Sequence, residues 1–565
     1  MRALMAIVLA GVTLSGAAFP ALAQGASEAP AVVEKAALVV IAPPRSDLAR
    51  IIKAALQKAY YSAKPDTRAY AQAQKLYFFY GARGFEPLWL SPNADGTTSF
   101  SPNAAKIIEV FKNAELEGLR PSDYLTPELD PAAAGSDPQK LADLETAFSN
   151  AAMRYAQDAY GGRINPTDVN PLLTIAPKRL DAAEVLTRLA SSEDPAKVLA
   201  DLDPPHKEFQ LLKAALAKFY DKDAVQTETI TIPDGPTLKL GMKDERVPTL
   251  RERLAVPAPE IPEGATDATV DTTYDKPLLE AVKAFQAGLG LNADGVLGPA
   301  TVAALNGAGQ VSKDDIIANM ERWRWEPNDF GAFHVEVNIP QFTVWIMKDG
   351  VPVHSTRVVV GRPTNQTPVF SDEIEDIVVN PYWNVPPSIA VNEIKPHLMA
   401  DPYYLQSQNM EMLSGSKVID ASAVDWSSTN INNFHIRQRP GGLNALGQIK
   451  FLFPNEHDVY LHDTPSKSLF ARAYRAYSHG CIRVQNPMDF AGALLETNPD
   501  ITEAKLEDMV GNSEKWVVLK HHIPVHLMYF TLRVDDDGTI RSYGDVYGHN
   551  KKLIELLNAG SDADA

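Results

Sequence analysis

The sequence contains a single cysteine, Cys481, in 565 residues. One cysteine cannot form a disulfide within its own chain, so either packing or reactivity must account for it. Zinc sites usually gather three or four ligands in closely spaced pairs. One cysteine with the scattered histidines His457, His462 and His479 fits that pattern poorly, and we therefore expect neither a metal nor another cofactor.

The sequence also lacks an excess of basic residues, with 53 Lys and Arg against 71 Asp and Glu and a net charge of −18. Nucleic-acid binding depends on a basic surface that releases counterions from phosphate. This charge balance therefore argues against DNA or RNA as a partner. Beyond the N-terminus, no stretch is apolar over the roughly 20 residues that a bilayer requires, so we expect no membrane span in the mature chain.

The N-terminal residues 1–23 have the pattern of a signal peptide. Arg2 is followed by an apolar run and then by the small-residue cleavage site Ala21-Leu22-Ala23. A retained membrane anchor is the weaker interpretation, because the run is shorter than roughly 20 residues. The sequence thus predicts export to the periplasm, where a chain that keeps one thiol avoids mispairing within itself.

The length of the chain predicts about three to four domains. Residues 24–45, rich in Ala, Pro and Glu, are predicted to form a linker. Residues 46–230 repeat apolar side chains at steps of three and four, which predicts a mainly helical domain. In residues 237–307, Asp275 and the pair Gly298-Pro299 each precede an apolar helical pattern, so we expect a compact helical unit.

From residue 332 the apolar period changes to two, and Lys348-Asp349-Gly350 is typical of a hairpin turn. We predict a β-rich domain over residues 332–535, followed by a C-terminal tail over residues 536–565. The strand pattern is lost over residues 385–445, and a connection of that length is usually functional. We expect it to form a cap or lid, so that the whole chain is a multidomain α+β protein.

The residues around Cys481 favour a reactive thiol. Gly480 allows backbone angles that let nearby amides face a reacting oxygen. His479 and His462 are bases that could hold the sulfur as a thiolate, and Arg483 would lower the thiol pKa or bind a carboxylate. A space-filling buried cysteine is the alternative, but apolar filler rarely lies between Ser-His-Gly and an arginine. We therefore predict a nucleophilic cysteine.

The run Ser478-His479-Gly480-Cys481, with His462 upstream and Asn486 downstream, resembles the signature of YkuD-type L,D-transpeptidases. Asp463 is a departure, because smaller relatives often have Gly directly after the histidine. Further stretches resemble the larger bacterial subclass, which joins a scaffold domain and a wall-binding domain to a capped β-rich catalytic domain: residues 320–325, 381–386, 444–447 and 460–465.

Residues 237–307 are similar to the small three-helix peptidoglycan-binding domain, in particular around residues 284–301. This resemblance implies attachment to cell-wall glycopeptide. A helical spacer that has lost wall binding is the alternative. The family resemblance assigns the helical residues 46–230 to the scaffold domain.

The family resemblance implies that Cys481 is the nucleophile and that His462 is the principal base and later the acid. His479 would have a supporting role, and the backbone amides of Gly480 and Cys481 are candidate donors to an oxyanion. The candidate substrate-binding residues are Tyr460, Ser478, Arg483, Asn486 and Trp383.

The residues alone leave several of these roles open. Tyr460 would share a strand face with His462, so its hydroxyl could act in the site or its ring could pack in the core. Arg483 and Asn486 could position substrate carboxylates or brace the loop. Ser478 most simply hydrogen-bonds locally.

The resemblance also implies the reaction. A tetrapeptide stem of peptidoglycan would lose its terminal D-Ala to the cysteine, and the amine of a neighbouring stem would accept the acyl group in a 3–3 cross-link. Water as acceptor would give a carboxypeptidase, a lipoprotein amine would give anchoring, and a non-catalytic wall-binding protein is a further alternative. The implied partners are stem peptides, glycan and other cell-wall synthesis proteins, and the implied inhibitors are carbapenems.

Overall fold

The computed structural model describes residues 40–65, 67–94, 97–221, 230–257, 272–288, 293–307, 311–472, 474–535 and 537–559. The predicted signal peptide and most of the predicted linker lie outside these ranges. Within them, no helix combines the length and the apolar character needed to span a membrane.

The N-terminal region is helical and contains one short hairpin. Ser46, Thr67 and Ser101 cap their helices by accepting a backbone N–H, as polar residues before an apolar helical pattern do. The hairpin pairs β1 Leu90–Pro92 with β2 Thr98–Phe100. The helices are α1 Asp47–Ser62, α2 Arg68–Ala82, α3 Pro102–Lys112, α4 Pro131–Ala134, α5 Pro138–Gly161, α6 Pro166–Val169, α7 Ala182–Ser191, α8 Pro195–Ala200 and α9 Lys207–Ala217.

A second, smaller helical unit has its own apolar core. It comprises α10 Val247–Arg253, α11 Lys276–Gly288 and α12 Pro299–Gly307. The buried Gln286 accepts a hydrogen bond from the Gly295 N–H at 2.8 Å and donates to the Val296 carbonyl at 3.1 Å. These bonds hold the turn at Asp294-Gly295. The turn requires glycine, because Gly295 has a φ of +70° and a side chain there would collide with Leu279.

The β-rich domain is built on one curled sheet of nine strands, in the order β13-β5-β14-β12-β11-β6-β15-β3-β4. The first half of β5 pairs with β4 and its second half pairs with β14 and β13, so the sheet closes on itself. The strands are β3 Phe333–Asn338, β4 Thr343–Lys348, β5 Val351–Gly361, β6 Phe370–Val379, β11 Ile449–Leu452, β12 Leu461–His462, β13 Ala476–Ser478, β14 Ile482–Val484 and β15 Lys515–Met528. Two helices, α17 Pro487–Leu494 and α18 Glu503–Met509, follow β14.

The segment predicted as a cap folds as a subunit of the β-rich domain. Its four-stranded sheet has the order β7-β10-β8-β9, and its apolar core includes Leu398, Leu405, Trp426 and Ile436. Its elements are β7 Trp383–Asn384, α14 Pro387–Ile389, a π-helical turn Ala390–Ile394, α15 Lys395–Ala400, α16 Tyr404–Ser407, β8 Met410–Ser414, β9 Lys417–Ile419 and β10 His435–Gln438.

The segment predicted as a C-terminal tail contains regular structure. Strand β17 Ile540–Ser542 pairs with β16 Leu532–Val534, and helix α19 His549–Ala559 packs its buried Leu553 into the main apolar core. The buried Asn550 accepts a hydrogen bond from Arg322 at 2.7 Å. The apolar face of α19 and this hydrogen bond attach the C-terminal segment to the β-rich domain.

Helix α13, Lys313–Trp325, lies between the N-terminal helices and the β-rich domain and is buried over most of its length. On one side, the fully buried Arg324 donates to the carbonyls of Glu117 and Ala159 at 2.6 and 3.1 Å. On the other side, Asn319 accepts from the backbone N–H groups of Thr531 and Leu532. Residues 320–325 are therefore a structural junction of the two regions.

Glu321 in this helix is fully buried and accepts the N–H groups of Arg163 and Ile164 at 2.5 and 2.8 Å. Replacing Glu321 with Ala would leave both donors unpaired, and each buried orphan costs about 1–3 kcal/mol. We expect Glu321→Ala to lower the free energy of unfolding by about 2–5 kcal/mol in urea denaturation. Glu321→Gln should cost less, because an amide oxygen still accepts.

The matched control is Glu109→Ala, because that side chain is 65% exposed and pairs with Lys112 at the surface. It should change stability by less than about 0.5 kcal/mol. If Glu321→Ala behaved like this control, the junction would not depend on the carboxylate.

Candidate active site

Two short strands, β12 and β14, lie side by side and parallel, with Leu461 opposite Ile482 and His462 opposite Arg483. Matched residues in a parallel pair share a face, and side chains alternate along each strand. Leu461 and Ile482 are fully buried on the core side. Tyr460, His462, Cys481 and Arg483 therefore share the opposite face.

Strand β11 extends this face, because Lys450 lies opposite His462 in the antiparallel pairing of β11 with β12. Lys450, His462 and Arg483 thus form one row across three strands. Tyr460 and Cys481 lie two residues away in the next row. The pairing alone brings together residues that are more than 30 positions apart in the sequence.

This face forms the floor of a cavity of about 690 Å³, and the cap forms the opposite wall. Trp383, Ile389 and Phe434 line the cavity from the cap. The floor and rim residues include Lys450, Asp458, Tyr460, His462, Ser478, His479, Cys481 and Arg483.

His462 is buried, with 4% of its surface exposed. Its Nδ1–H donates to the backbone carbonyl of Asp463 at 2.5 Å, which leaves the Nε2 lone pair free to accept a proton. Burial, followed by the positive charges of Arg483 and Lys450, lowers the pKa of His462 to about 3. The imidazole is therefore neutral at physiological pH and can act as a base.

The Asp463 side chain holds its own backbone in place and so positions His462. One carboxylate oxygen accepts the Gln448 N–H at 2.9 Å, and the other pairs with Lys467. Gly447, with a φ of +60°, lies against this carboxylate, and a Cβ there would collide with it. Asp463 therefore does not displace His462, although smaller relatives often have Gly at its position. Its carboxylate also explains why position 447 is a glycine.

Cys481 is partly exposed at the cavity floor, and its Sγ lies 3.8 Å from the Asp458 carbonyl. Burial raises the pKa of Cys481 to about 11. The backbone N–H and the phenol of Tyr460, together with the charge of Arg483, oppose this rise without reversing it. The sequence led us to expect a thiolate, but desolvation outweighs the nearby cation, so the resting pair is a neutral thiol with a neutral imidazole.

The loop before Cys481 is held by Ser478, whose Oγ accepts the Gly480 N–H at 3.2 Å and donates to the Cys481 carbonyl at 2.5 Å. Gly480 has a φ of +124°, which only glycine adopts without strain. Ser478 therefore has the local role that the sequence suggested. The Gly480 amide, a candidate oxyanion donor, is directed to Ser478.

A closed set of hydrogen bonds fixes the other side of this loop. The buried Thr367 hydroxyl donates to the Gly480 carbonyl at 2.7 Å and accepts the Gly361 N–H at 2.8 Å. Tyr547 donates to the Gly361 carbonyl at 2.6 Å and accepts the Thr367 N–H at 3.2 Å. Because the Gly480 carbonyl and the Cys481 N–H belong to one planar peptide unit, this network also sets the direction of the Cys481 N–H.

Two predicted site residues have other positions, one at the rim of the cavity and one outside it. His479 is directed toward the cap, where its Nε2 hydrogen-bonds Glu393 at 2.7 Å. Asn486 is exposed at the N-terminus of α17 and is absent from the cavity lining, since β14 ends at Val484 and the chain turns into the helix.

Three regions of the chain match sequence models of known families. Residues 74–216 match a scaffold domain, and residues 244–305 match one described as "Putative peptidoglycan binding domain". Residues 332–501, which include Cys481 and His462, match the YkuD family, described as the L,D-transpeptidase catalytic domain. The chain carries a YkuD-type L,D-transpeptidase domain.

One similar curated protein, from Haemophilus influenzae, is described as "Putative L,D-transpeptidase". It is 33% identical over 239 residues, which are 42% of this chain and 48% of that protein. The chain thus spans about half the length of this relative.

Two solved structures show weak similarity. One is the avibactam carbamoyl enzyme of Ldtfm, at 14% identity and a TM-score of 0.17, covering 36% of this chain and 51% of that one. The other is an L,D-transpeptidase from Xylanimonas cellulosilytica, at 18% identity and a TM-score of 0.17, covering 52% and 99%. Similarity at this level carries no conclusion about function.

Three residues in or next to the candidate site escaped the sequence analysis: Lys450, Thr367 and Glu393. Lys450 left a signal, because it is the charged residue in the otherwise apolar run Ile449–Leu452. Thr367 and Glu393 reach the loop through contacts across 113 and 86 residues of sequence. No local pattern indicates such contacts.

The raised pKa of Cys481 makes its reactivity depend on pH. Below a pKa of about 11, the thiolate fraction grows about tenfold for each pH unit. We expect the rate of alkylation by iodoacetamide to rise about tenfold per unit between pH 7 and 9. As the only cysteine, Cys481 can be followed by the mass of the protein. A rate that levels off near pH 7 would contradict this and indicate a resting thiolate.

Proposed function

We propose that this protein is a cysteine-dependent L,D-transpeptidase that forms 3–3 cross-links in peptidoglycan through a thioester. The observation that carries the proposal is the shared face of Cys481 and His462 beneath the cap, with a neutral Nε2 available as base. Two cations on the same face, Lys450 and Arg483, favour an anionic substrate such as a stem peptide.

In the first step, the Cys481 sulfur attacks the carbonyl before the terminal D-Ala of a tetrapeptide stem. His462 Nε2 takes the thiol proton as the S–C bond forms. The carbonyl oxygen becomes an oxyanion that faces the Cys481 N–H. When the C–N bond breaks, His462 returns the proton to the leaving amine and the acyl group remains on sulfur as a thioester.

In the second step, the side-chain amine of a neighbouring stem attacks the thioester. His462 takes a proton from this amine, the new amide bond forms, and the sulfur leaves and regains its proton. The low pKa of His462 favours the return of the proton in each step, because an imidazolium beside Arg483 and Lys450 is unstable and passes its proton on to the leaving group.

The rest of the chain fits this activity. The match of residues 244–305 supports binding to peptidoglycan, and action on the wall requires export to the periplasm, in agreement with the predicted signal peptide. No cofactor takes part in this chemistry. Stem peptides and glycan strands are the proposed partners, together with other wall-synthesis proteins.

We expect Cys481→Ala to reduce cross-linking by about 10⁴-fold or more, because the nucleophile is removed. The measurement is mass spectrometry of products after the mature enzyme is incubated with defined tetrapeptide stems. The variant should keep the wild-type melting temperature. Cross-linked dimers formed by the pure variant would remove the thiol from the mechanism.

The wild-type products separate the alternatives. Dimers of stems support a transpeptidase, tripeptides alone support an L,D-carboxypeptidase, and transfer only to a lipoprotein amine supports anchoring. If no product forms and a carbapenem leaves no adduct on Cys481, the protein is a non-catalytic wall-binding protein.

The hydrogen bonds of Thr367 to Gly361 and Gly480 lead to a separate prediction. Thr367→Val keeps the shape of the side chain but frees the Gly480–Cys481 peptide, so we expect acylation by a carbapenem to slow by about 10- to 100-fold. Alkylation by iodoacetamide, which forms no oxyanion, should be unchanged at the same pH. Thr367→Ser should restore most of the acylation rate. Equal loss of both reactions would indicate that Thr367 only maintains the fold.

A further inference from the structure

We propose that Lys450 and Arg483 form a carboxylate-binding subsite that selects donor peptides whose free C-terminus lies one residue beyond the attacked carbonyl. This inference rests on the proposed function, because it identifies how the same site recognises its donor. Lys450 is its new element, and it is the specificity-determining residue.

The first support is position. Lys450 and Arg483 flank His462 in one row of the sheet and both line the cavity. The charges of both residues act on His462, and both interact electrostatically with Cys481. An anion held by these cations would therefore lie next to the reacting sulfur and its base.

The second support is the lack of an anionic partner. Lys450 is only 8% exposed, yet it has no hydrogen bond or ion pair within the described part of the chain. The Arg483 Nε is buried and has no acceptor there either. Glu514, the acid that acts on Lys450, is committed to the Tyr382 N–H at 2.8 Å and to the Trp516 indole at 3.3 Å.

A buried cation is normally paired, because taking a charge out of water is costly unless an anion compensates. Desolvation lowers the pKa of both Lys450 and Arg483, which is the expected sign of this cost. A carboxylate that enters with the substrate would supply the missing partner. The same carboxylate would form strong, charge-assisted hydrogen bonds.

The Lys450 side chain is held in place before any substrate arrives. Its Nζ lies 5.7 Å from the centre of the Tyr460 ring and 5.6 Å from that of Trp516. Such cation–π contacts attract an ammonium group toward the ring faces. They hold the charge at the cavity floor, so little conformational freedom is lost when a carboxylate binds.

The spacing of the two rows selects the length of the donor. Two residues along a strand span about 6–7 Å. This is the distance between the row that contains Lys450 and Arg483 and the row that contains Cys481. One residue of peptide advances the chain by about 3.8 Å, so a long cationic side chain reaches a carboxylate one residue beyond the attacked carbonyl. A donor with a further residue presents a neutral amide at this place.

The test uses Cys481→Ala, which cannot react, and measures peptide binding by calorimetry. The probes are a tetrapeptide stem that ends in D-Ala and the same peptide with its C-terminal carboxylate converted to an amide. We expect the acid to bind about 10- to 100-fold more tightly than the amide, as a charged hydrogen-bond pair implies. In Cys481→Ala/Lys450→Met this preference should disappear, while binding of the amide stays the same.

Two controls sharpen the result. Lys520→Met removes an exposed lysine that pairs with Asp500, and in the Cys481→Ala background it should leave the preference intact. Lys450→Arg should retain part of it. Equal binding of acid and amide to Cys481→Ala would overturn the proposal, and so would an equal loss of both in the Lys450→Met variant. Because binding is measured without turnover, failure of the proposed reaction would be seen separately, in the product assay.

Discussion

The parallel pairing of Leu461–His462 with Ile482–Val484 is the interaction on which the site depends. Leu461 and Ile482 lock the register, because both are fully buried on the core side. A slip of one residue would turn these two side chains into the cavity and bury the histidine and arginine in the apolar core. The hydrophobic effect therefore selects the one register that presents the sulfur, the phenol and the imidazole together.

The electrostatics of the floor follow from the same arrangement. Desolvation holds the thiol protonated and the imidazole neutral, and among the residues that the structure describes neither Lys450 nor Arg483 forms an ion pair. The substrate carboxylate that we propose for these cations would remove their support for a free thiolate. In the proposed reaction the proton then leaves the sulfur during the attack itself, and the neutral His462 Nε2 is its proposed acceptor.

Local patterns carried the prediction of the nucleophile and the base. Cys481 and His462 were predicted from the short runs around them, and the shared face of Tyr460 and His462 follows from the two-residue period of a strand. The predictions that failed, and the residues that were missed, depend on how distant parts of the chain pack together. Lys450 joins the site only through the register of β11 with β12, and Asn486 leaves it because a helix begins directly after. The thiolate expectation failed because the degree of desolvation cannot be read from sequence neighbours.

The C-terminal segment shows the same limit. Nothing in its composition indicates that Tyr547 hydrogen-bonds Gly361 and Thr367 across about 180 residues. Yet that contact fixes the peptide unit that joins Gly480 to Cys481, although Tyr547 lies beyond residues 332–501.

The contacts at the two ends of the cap differ in strength. At its base, the fully buried Asn444 donates to the carbonyls of Pro381, Gln438 and Arg439. These bonds hold together the segments by which the chain enters and leaves the cap. At its tip, Glu393 and His479 form a pair whose side chains are 46% and 31% exposed. Pairs this accessible to water contribute at most about 1 kcal/mol. The cap has an apolar core of its own, so a rotation of the cap about its base would break this weak contact and keep the buried hydrogen bonds of Asn444.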